Sequence, residues 1–262
     1  MKLSIRFLTF TAALTAMTLT VMTGPAMAGQ VQIHFDPAAA GLNGSAFNAD
    51  ALTGGEVSVI TNGQPDQNGG FAWHEHGFLN ITGTILNGAA VVPNGLGSTY
   101  SMYYAFDING FQPNLFSNGY ATSMTLDLYG ANGVSVFGID NNTLTATVTN
   151  ASSPVLLATT SMGAITTGAT VENFDPLTLS LNAVATGEVD ASVAGFFTSP
   201  ASPTDLVGSF SHPSDGVQVL FGGGVFVITG GNDFVSFVPE PASLALFGTG
   251  LAALTTLRRR RT

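Results

Sequence analysis

Apolar residues in this chain recur at every second position, a period that belongs to half-buried strands and not to helices. Met102, Tyr104, Phe106 and Ile108 form one such row against Ser101, Tyr103, Ala105 and Asp107. Met124, Leu126 and Leu128 alternate with Thr125, Asp127 and Tyr129, and Leu177, Leu179 and Leu181 alternate with Thr178, Ser180 and Asn182. Leu144, Ala146 and Val148 alternate with Thr143, Thr145, Thr147 and Thr149. Asn-Gly pairs starting at Asn43, Asn62, Asn68, Asn87, Asn94, Asn109, Asn118 and Asn132 mark turns, because both residues tolerate left-handed backbone. Residues 217–221 and 225–229, joined by Gly222, Gly223 and Gly224, read as a hairpin. No stretch of the interior carries a helical period, and no repeat of fixed length survives alignment of the strands. These patterns predict an antiparallel β-sandwich, with a β-solenoid as the alternative that the missing repeat disfavours. Segments 44–70 and 198–216 are the expected long loops, and a division near residue 150 is also compatible with the pattern.

Charge divides the chain more sharply than hydropathy does. Its 6 Lys and Arg are Lys2, Arg6, Arg258, Arg259, Arg260 and Arg261. All 16 Asp and Glu except Glu240 lie between these two groups, so residues 29–238 carry fifteen carboxylates and no Lys or Arg. Such a body cannot neutralise nucleic-acid phosphates, form a Lys Schiff base or clamp a phosphoryl group. The chain has no Cys, which removes disulfides, thiol nucleophiles and thiolate metal sites.

Both ends read as addresses. Residues 1–28 begin with Lys2 and Arg6, continue through an apolar, Thr-rich stretch and close on Ala26, Met27 and Ala28. That is the pattern of a secretory signal peptide, with signal peptidase cutting before Gly29. At the other end Pro239, Glu240 and Pro241 precede an uncharged span, residues 242–257, and then Arg258 to Arg261. A helix of that length covers about 24 Å, a short transient membrane anchor, and the positive-inside rule keeps the arginines cytoplasmic. The body would then lie on the far side of the membrane.

The tail of residues 239–262, with its Pro-Glu-Pro, apolar span and Arg cluster, resembles the PEP-CTERM sorting signal of Gram-negative bacteria. The resemblance implies recognition of Pro239, Glu240 and Pro241 by the membrane enzyme exosortase, a cut near them, and delivery across the inner membrane to the cell surface or extracellular matrix. Passengers of this kind are often tied to exopolysaccharide and biofilm. No catalytic residue carries over, since the chemistry belongs to exosortase. A further likeness is to flocculation-associated members, through Asn173, Phe174, Asp175 and Pro176 and the run Val225, Phe226, Val227 and Ile228.

Within the body, His74 and His76 flank Glu75 at a spacing that puts both imidazoles on one strand face. They can chelate a divalent metal if His34 or His212 and a carboxylate complete the set. Asp66 and Asp140 sit in Asx-rich segments that could hold Ca2+ or simply form turns. No other cofactor is expected. Thr143, Thr145, Thr147 and Thr149 would present a row of hydroxyls to a polysaccharide, with Trp73, Tyr103, Tyr104 and Tyr120 available for stacking. Glu56, Glu75, Glu172 and Glu188 supply the only glutamates from which a glycosidase pair could be drawn. Ser209 and His212 lack a nucleophile-elbow context, and no H-E-x-x-H motif occurs. The expected function is a non-enzymatic, exported surface or matrix protein associated with exopolysaccharide, biofilm or cell aggregation. The alternative is a secreted carbohydrate-binding or glycan-hydrolysing enzyme.

Overall fold

A computed structural model describes residues 31–114, 119–161, 171–175, 180–199, 205–212, 217–220 and 224–238. The leader with Ala26 and Ala28, and the tail with Pro239, Glu240, Pro241, the apolar span and Arg258, Arg259, Arg260 and Arg261, lie outside the described residues. Among the described residues no helix is long and apolar enough to cross a membrane.

The alternating runs become strands. The first part of the chain supplies β1 (Ile33–Phe35), β2 (Phe47–Ala49), β3 (Ala51–Asn62), β4 (Phe71–Leu86), β5 (Ala89–Val91), β6 (Tyr100–Gln112) and β7 (Gly119–Asn132). Next come β8 (Ser135–Asp140), β9 (Thr145–Asn150), β10 (Val155–Ser161), β11 (Val171–Asp175) and β12 (Ser180–Ala191). The chain continues through β13 (Phe197–Ser199), β14 (Asp205–His212), β15 (Val217–Leu220) and β16 (Val225–Val238). Among the described residues the one helical turn is 3-10, Pro37–Ala40, capped by the Asp36 carboxylate, which accepts from the Ala38 and Ala39 amides.

An 11-stranded sheet follows the path β10-β12-β11-β7-β6-β4-β3-β16-β14, with β5 on β4 and β15 on β16. Two further ladders join β10 with β7, near one end of the path, and β12 with β14, which lies at its other end. Every ladder between these strands is antiparallel, which fits the sandwich-like architecture and not a solenoid. Inward residues from β3, β4, β6, β7, β10, β12 and β16 meet in one apolar core. A 3-stranded sheet, β13-β1-β2, packs on that core through phenylalanines. Phe35 stacks on Phe47 at 4.9 Å and meets Phe196, Phe197 and Phe237 edge-on or tilted at 5.5 to 5.7 Å. The pair β8 and β9 forms its own 2-stranded sheet. It lies against β3 and β4, where Phe137 meets Phe78 and Tyr103 at 6.0 and 5.4 Å.

Several expected turns differ. Asn87 and Gly88 do make the tight hairpin, both with positive φ, between β4 and β5. Asn109 and Gly110 do not turn, because they lie inside β6 at a bulge opposite Thr122. Gly110 is there for space: a Cβ at this position would run into the six-membered ring of Trp73. Gly110→Ala should therefore cost about 3 kcal/mol by overpacking a rigid indole, measured as a lower urea midpoint with unchanged slope. Segment 44–70 is not one loop, since it contains β2 and β3, and segment 198–216 contains β14. Alternation is weak in β3, where Gly54 and Gly55 interrupt it and both faces are partly covered, so its period was hidden. The hairpin of β15 and β16 forms as expected, with Leu220 opposite Val225.

Candidate functional site

Strict alternation in β4 sends Trp73, Glu75, Gly77, Leu79 and Ile81 inward and His74, His76 and Phe78 outward. The two imidazoles share a face as the spacing requires, stacked with centroids 5.4 Å apart and planes at 22°. The register of β4 on β6 then sets Asp107 opposite His76 and Asn109 opposite His74. His74 Nε2 donates to Asp107 Oδ2 at 2.9 Å. Asn109 Nδ2 reaches Asp107 Oδ1 at 3.4 Å and Ser123 Oγ at 3.1 Å. On β7 the bulge exposes Thr122 beside Ser123, and the Thr122 hydroxyl donates to the Asn109 carbonyl at 3.2 Å. The result is a polar outer face built from three strands, with Phe111 against Tyr120 at one end and Tyr103 stacked on Tyr129 at the other.

Burial, and then the neighbouring His74, hold the His76 pKa below its ordinary value, while Asp107 partly opposes them. The folded state thus binds fewer protons at this site than the unfolded chain. The stabilisation by neutral His76 is complete above the ordinary histidine value of about 6.5 and is lost as pH falls through the folded value. His76→Gln should flatten the fall in urea midpoint between neutral and mildly acid pH; an unchanged pH profile would contradict this assignment.

The other expected ligands are placed apart from this face. Asp66 accepts from the Asn68 and Gly70 amides at 2.8 and 2.9 Å. Asp140 accepts from the Asn142 amide at 2.9 Å, and that amide, followed by the Thr143 hydroxyl, draws its pKa down. Both are Asx turns of the kind that short loops use for local closure. His34 contacts Asn48 through Nδ1 at 2.6 Å, in the small sheet, and His212 ends β14. Among the described residues no three His, Asp or Glu side chains converge as a metal site.

The threonine row is shorter than its sequence suggests. Leu144 has φ 51, so Thr143 belongs to the turn, and only Thr145, Thr147 and Thr149 line the exposed face of β9. Thr145 already donates to the Thr143 carbonyl at 3.2 Å and Thr147 to the Gly138 carbonyl at 3.1 Å. Of the aromatics expected to stack on sugars, Trp73 and Tyr104 are core residues, Tyr103 is buried on the outer face beneath Phe137, and Tyr120 alone stands out at 43% exposure.

Glu56 and Glu75, candidates for a glycosidase pair, are 2% and 6% exposed, and Asp233 joins them inside at 2%. Glu75 Oε1 accepts from the Ser58 hydroxyl at 2.9 Å. The sequence reading left the burial of these carboxyls unassigned, although Glu75 falls in the inward phase between Trp73 and Gly77, a signal that could have placed it. Asp107 was missed as the partner of His74, because only strand register brings them together.

No curated protein matches the chain, and no solved structure does. The chain matches the PEP-CTERM protein-sorting motif over residues 237–261, and that match does not reach the stretches that resemble flocculation-associated members. It begins on Phe237, inside β16. The chain is therefore a PEP-CTERM domain-containing protein, exported and sorted by exosortase toward the cell surface or extracellular space.

Proposed function

We infer that the body is a non-enzymatic surface or matrix protein of a Gram-negative bacterium, retained in or organising exopolysaccharide in biofilm or cell aggregates. The observation that carries this reading is the coupling of a sorting motif to an all-β body without Lys or Arg, whose outer strands display hydroxyl and carboxamide groups. A strain lacking the gene should retain less exopolymer or aggregate less than its parent, with recovery on complementation. Loss of neither property would refute the role.

The enzymatic alternative, a secreted glycan hydrolase, rests on one specific feature, the 2.9 Å contact of His74 with Asp107. Turnover of a glycan panel by the purified chain, abolished in His74→Ala, would establish it. Calcium is the ion that fifteen carboxylates without counter-cations would attract, and it would act as a bridge between molecules. Clumping of the purified protein should then be reversed by a chelator.

A further inference from the structure

We propose that the outer face of β4, β6 and β7 is a binding platform for a neutral, hydroxyl-rich polysaccharide chain, with Tyr120 and Tyr129 stacking on sugar rings. Asn109, Thr122, Ser123 and Thr125 supply uncharged hydrogen bonds between them. This deepens the exopolysaccharide reading and rests on it.

The first support is shape. The three strands run 16, 13 and 14 residues and pair antiparallel, with a bulge at Thr122 between β6 and β7. Along β7 the outward residues from Tyr120 to Tyr129 are exposed or half-buried over about 27 Å, long enough for several linked sugars, whereas Tyr103 on β6 is 2% exposed beneath Phe137. The second is the order of groups along that length. The half-buried Tyr129 is stacked on Tyr103 at 5.6 Å, and the exposed Tyr120 is braced by Phe111 at 6.0 Å. Both rings are therefore fixed in place before any ligand arrives. Between them Asn109, Thr122, Ser123 and Thr125 are all exposed. The bulge in β7 is what sets Thr122 and Ser123 side by side facing outward.

The third is charge. The platform carries Asp107 and Asp127 and belongs to a body with no Lys or Arg, so a uronate- or sulfate-bearing polymer is repelled while a neutral one is not. Carboxylates also accept hydrogen bonds from sugar hydroxyls, which gives Asp107 and Asp127 a use toward a neutral chain. The β9 strand is shorter, 6 residues long, and carries its threonines without a tyrosine beside them.

The test uses the full chain in detergent, electrophoresed through gels containing the bacterium's own exopolymer, separated by ion exchange into neutral and anionic fractions. The neutral fraction should retard the protein. Tyr120→Ala should weaken the interaction about tenfold, the size of one lost ring contact. The pair Thr122→Ala and Ser123→Ala should weaken it too, and Thr147→Ala should not. Unchanged thermal melting keeps a folding defect from imitating the result. Retardation by the anionic fraction alone, no retardation by the neutral one, or equal binding by the β4-β6-β7 variants and wild type would overturn the platform. If those variants bind normally while the gene deletion still lowers exopolymer retention, this face is wrong and the broader reading survives. If the deletion has no effect, the broader reading falls with it.

Discussion

Phe237→Ala should cost about 3–5 kcal/mol, a large part of the stability of a typical domain, and leave little folded protein at physiological temperature. Phe237 is 1% exposed and sits where the two main sheets meet. Its ring lies 5.7 Å from Phe35 and 6.1 Å from Phe197, and its carbonyl accepts from the Val31 amide at 3.0 Å. Removing the ring opens a cavity that touches the three-stranded sheet and β16 together, and the surrounding phenylalanines are braced against one another and cannot collapse to fill it. Phe234, three residues earlier on the outer face at 38% exposure, is the control. Phe234→Ala should cost less than about 1 kcal/mol, because much of its surface is already in water. Denaturant titration of the two variants checks the contrast, and equal losses would mean that β16 is not packed as described.

The features legible in the sequence are those set by local period. The alternation in residues 101–108 and 124–129 became β6 and β7, and the inward set Met102, Tyr104, Phe106, Ile108, Met124, Leu126 and Leu128 is buried as that period requires. The same logic placed His74 and His76 on one face. What escaped is what pairing decides. Asn109-Gly110 has the composition of a turn, yet the packing of Trp73 against Gly110 holds it within a strand, so tertiary contact overrode local preference. Leu144 looked like the first apolar member of a row until its positive φ put it in the turn. The outer face draws His74, Asp107 and Ser123 from three strands far apart in sequence, and no spacing along the chain announces that they are neighbours. Burial of Glu56 and Asp233 was hidden for a similar reason: both lie where β3 and β16 pair around irregular glycine positions, and the register shifts between Gly230 and Asp233.

Processing should spare β16 completely. This strand is interior to the large sheet, between β3 and β14, and its last residue, Val238, still pairs with Asp205. Pro239 follows immediately and has no amide hydrogen to continue the ladder, so the folded body reaches to the edge of the Pro-Glu-Pro without an intervening linker. A cut before Phe237 would extract a core residue, whereas a cut at or beyond Pro239 leaves every described strand intact. Mass spectrometry of the released protein should accordingly find its C-terminus at Val238 or later; a terminus at Ser236 or earlier would show that exosortase acts on an unfolded body. Changing Pro239 and Pro241 together to Ala should abolish most of the release and accumulate full-length, membrane-associated precursor. Proline at these two positions disfavours a helix running into the apolar sequence that follows, and alanine does not. Replacing Arg258, Arg259, Arg260 and Arg261 with Ser should also reduce sorted release, but through topology, since the positive-inside rule assigns such a cluster beside an apolar span to the cytoplasmic side. Fractionation separates the two effects: the proline variant stays in the membrane uncut, and the arginine variant appears outside with its tail still attached.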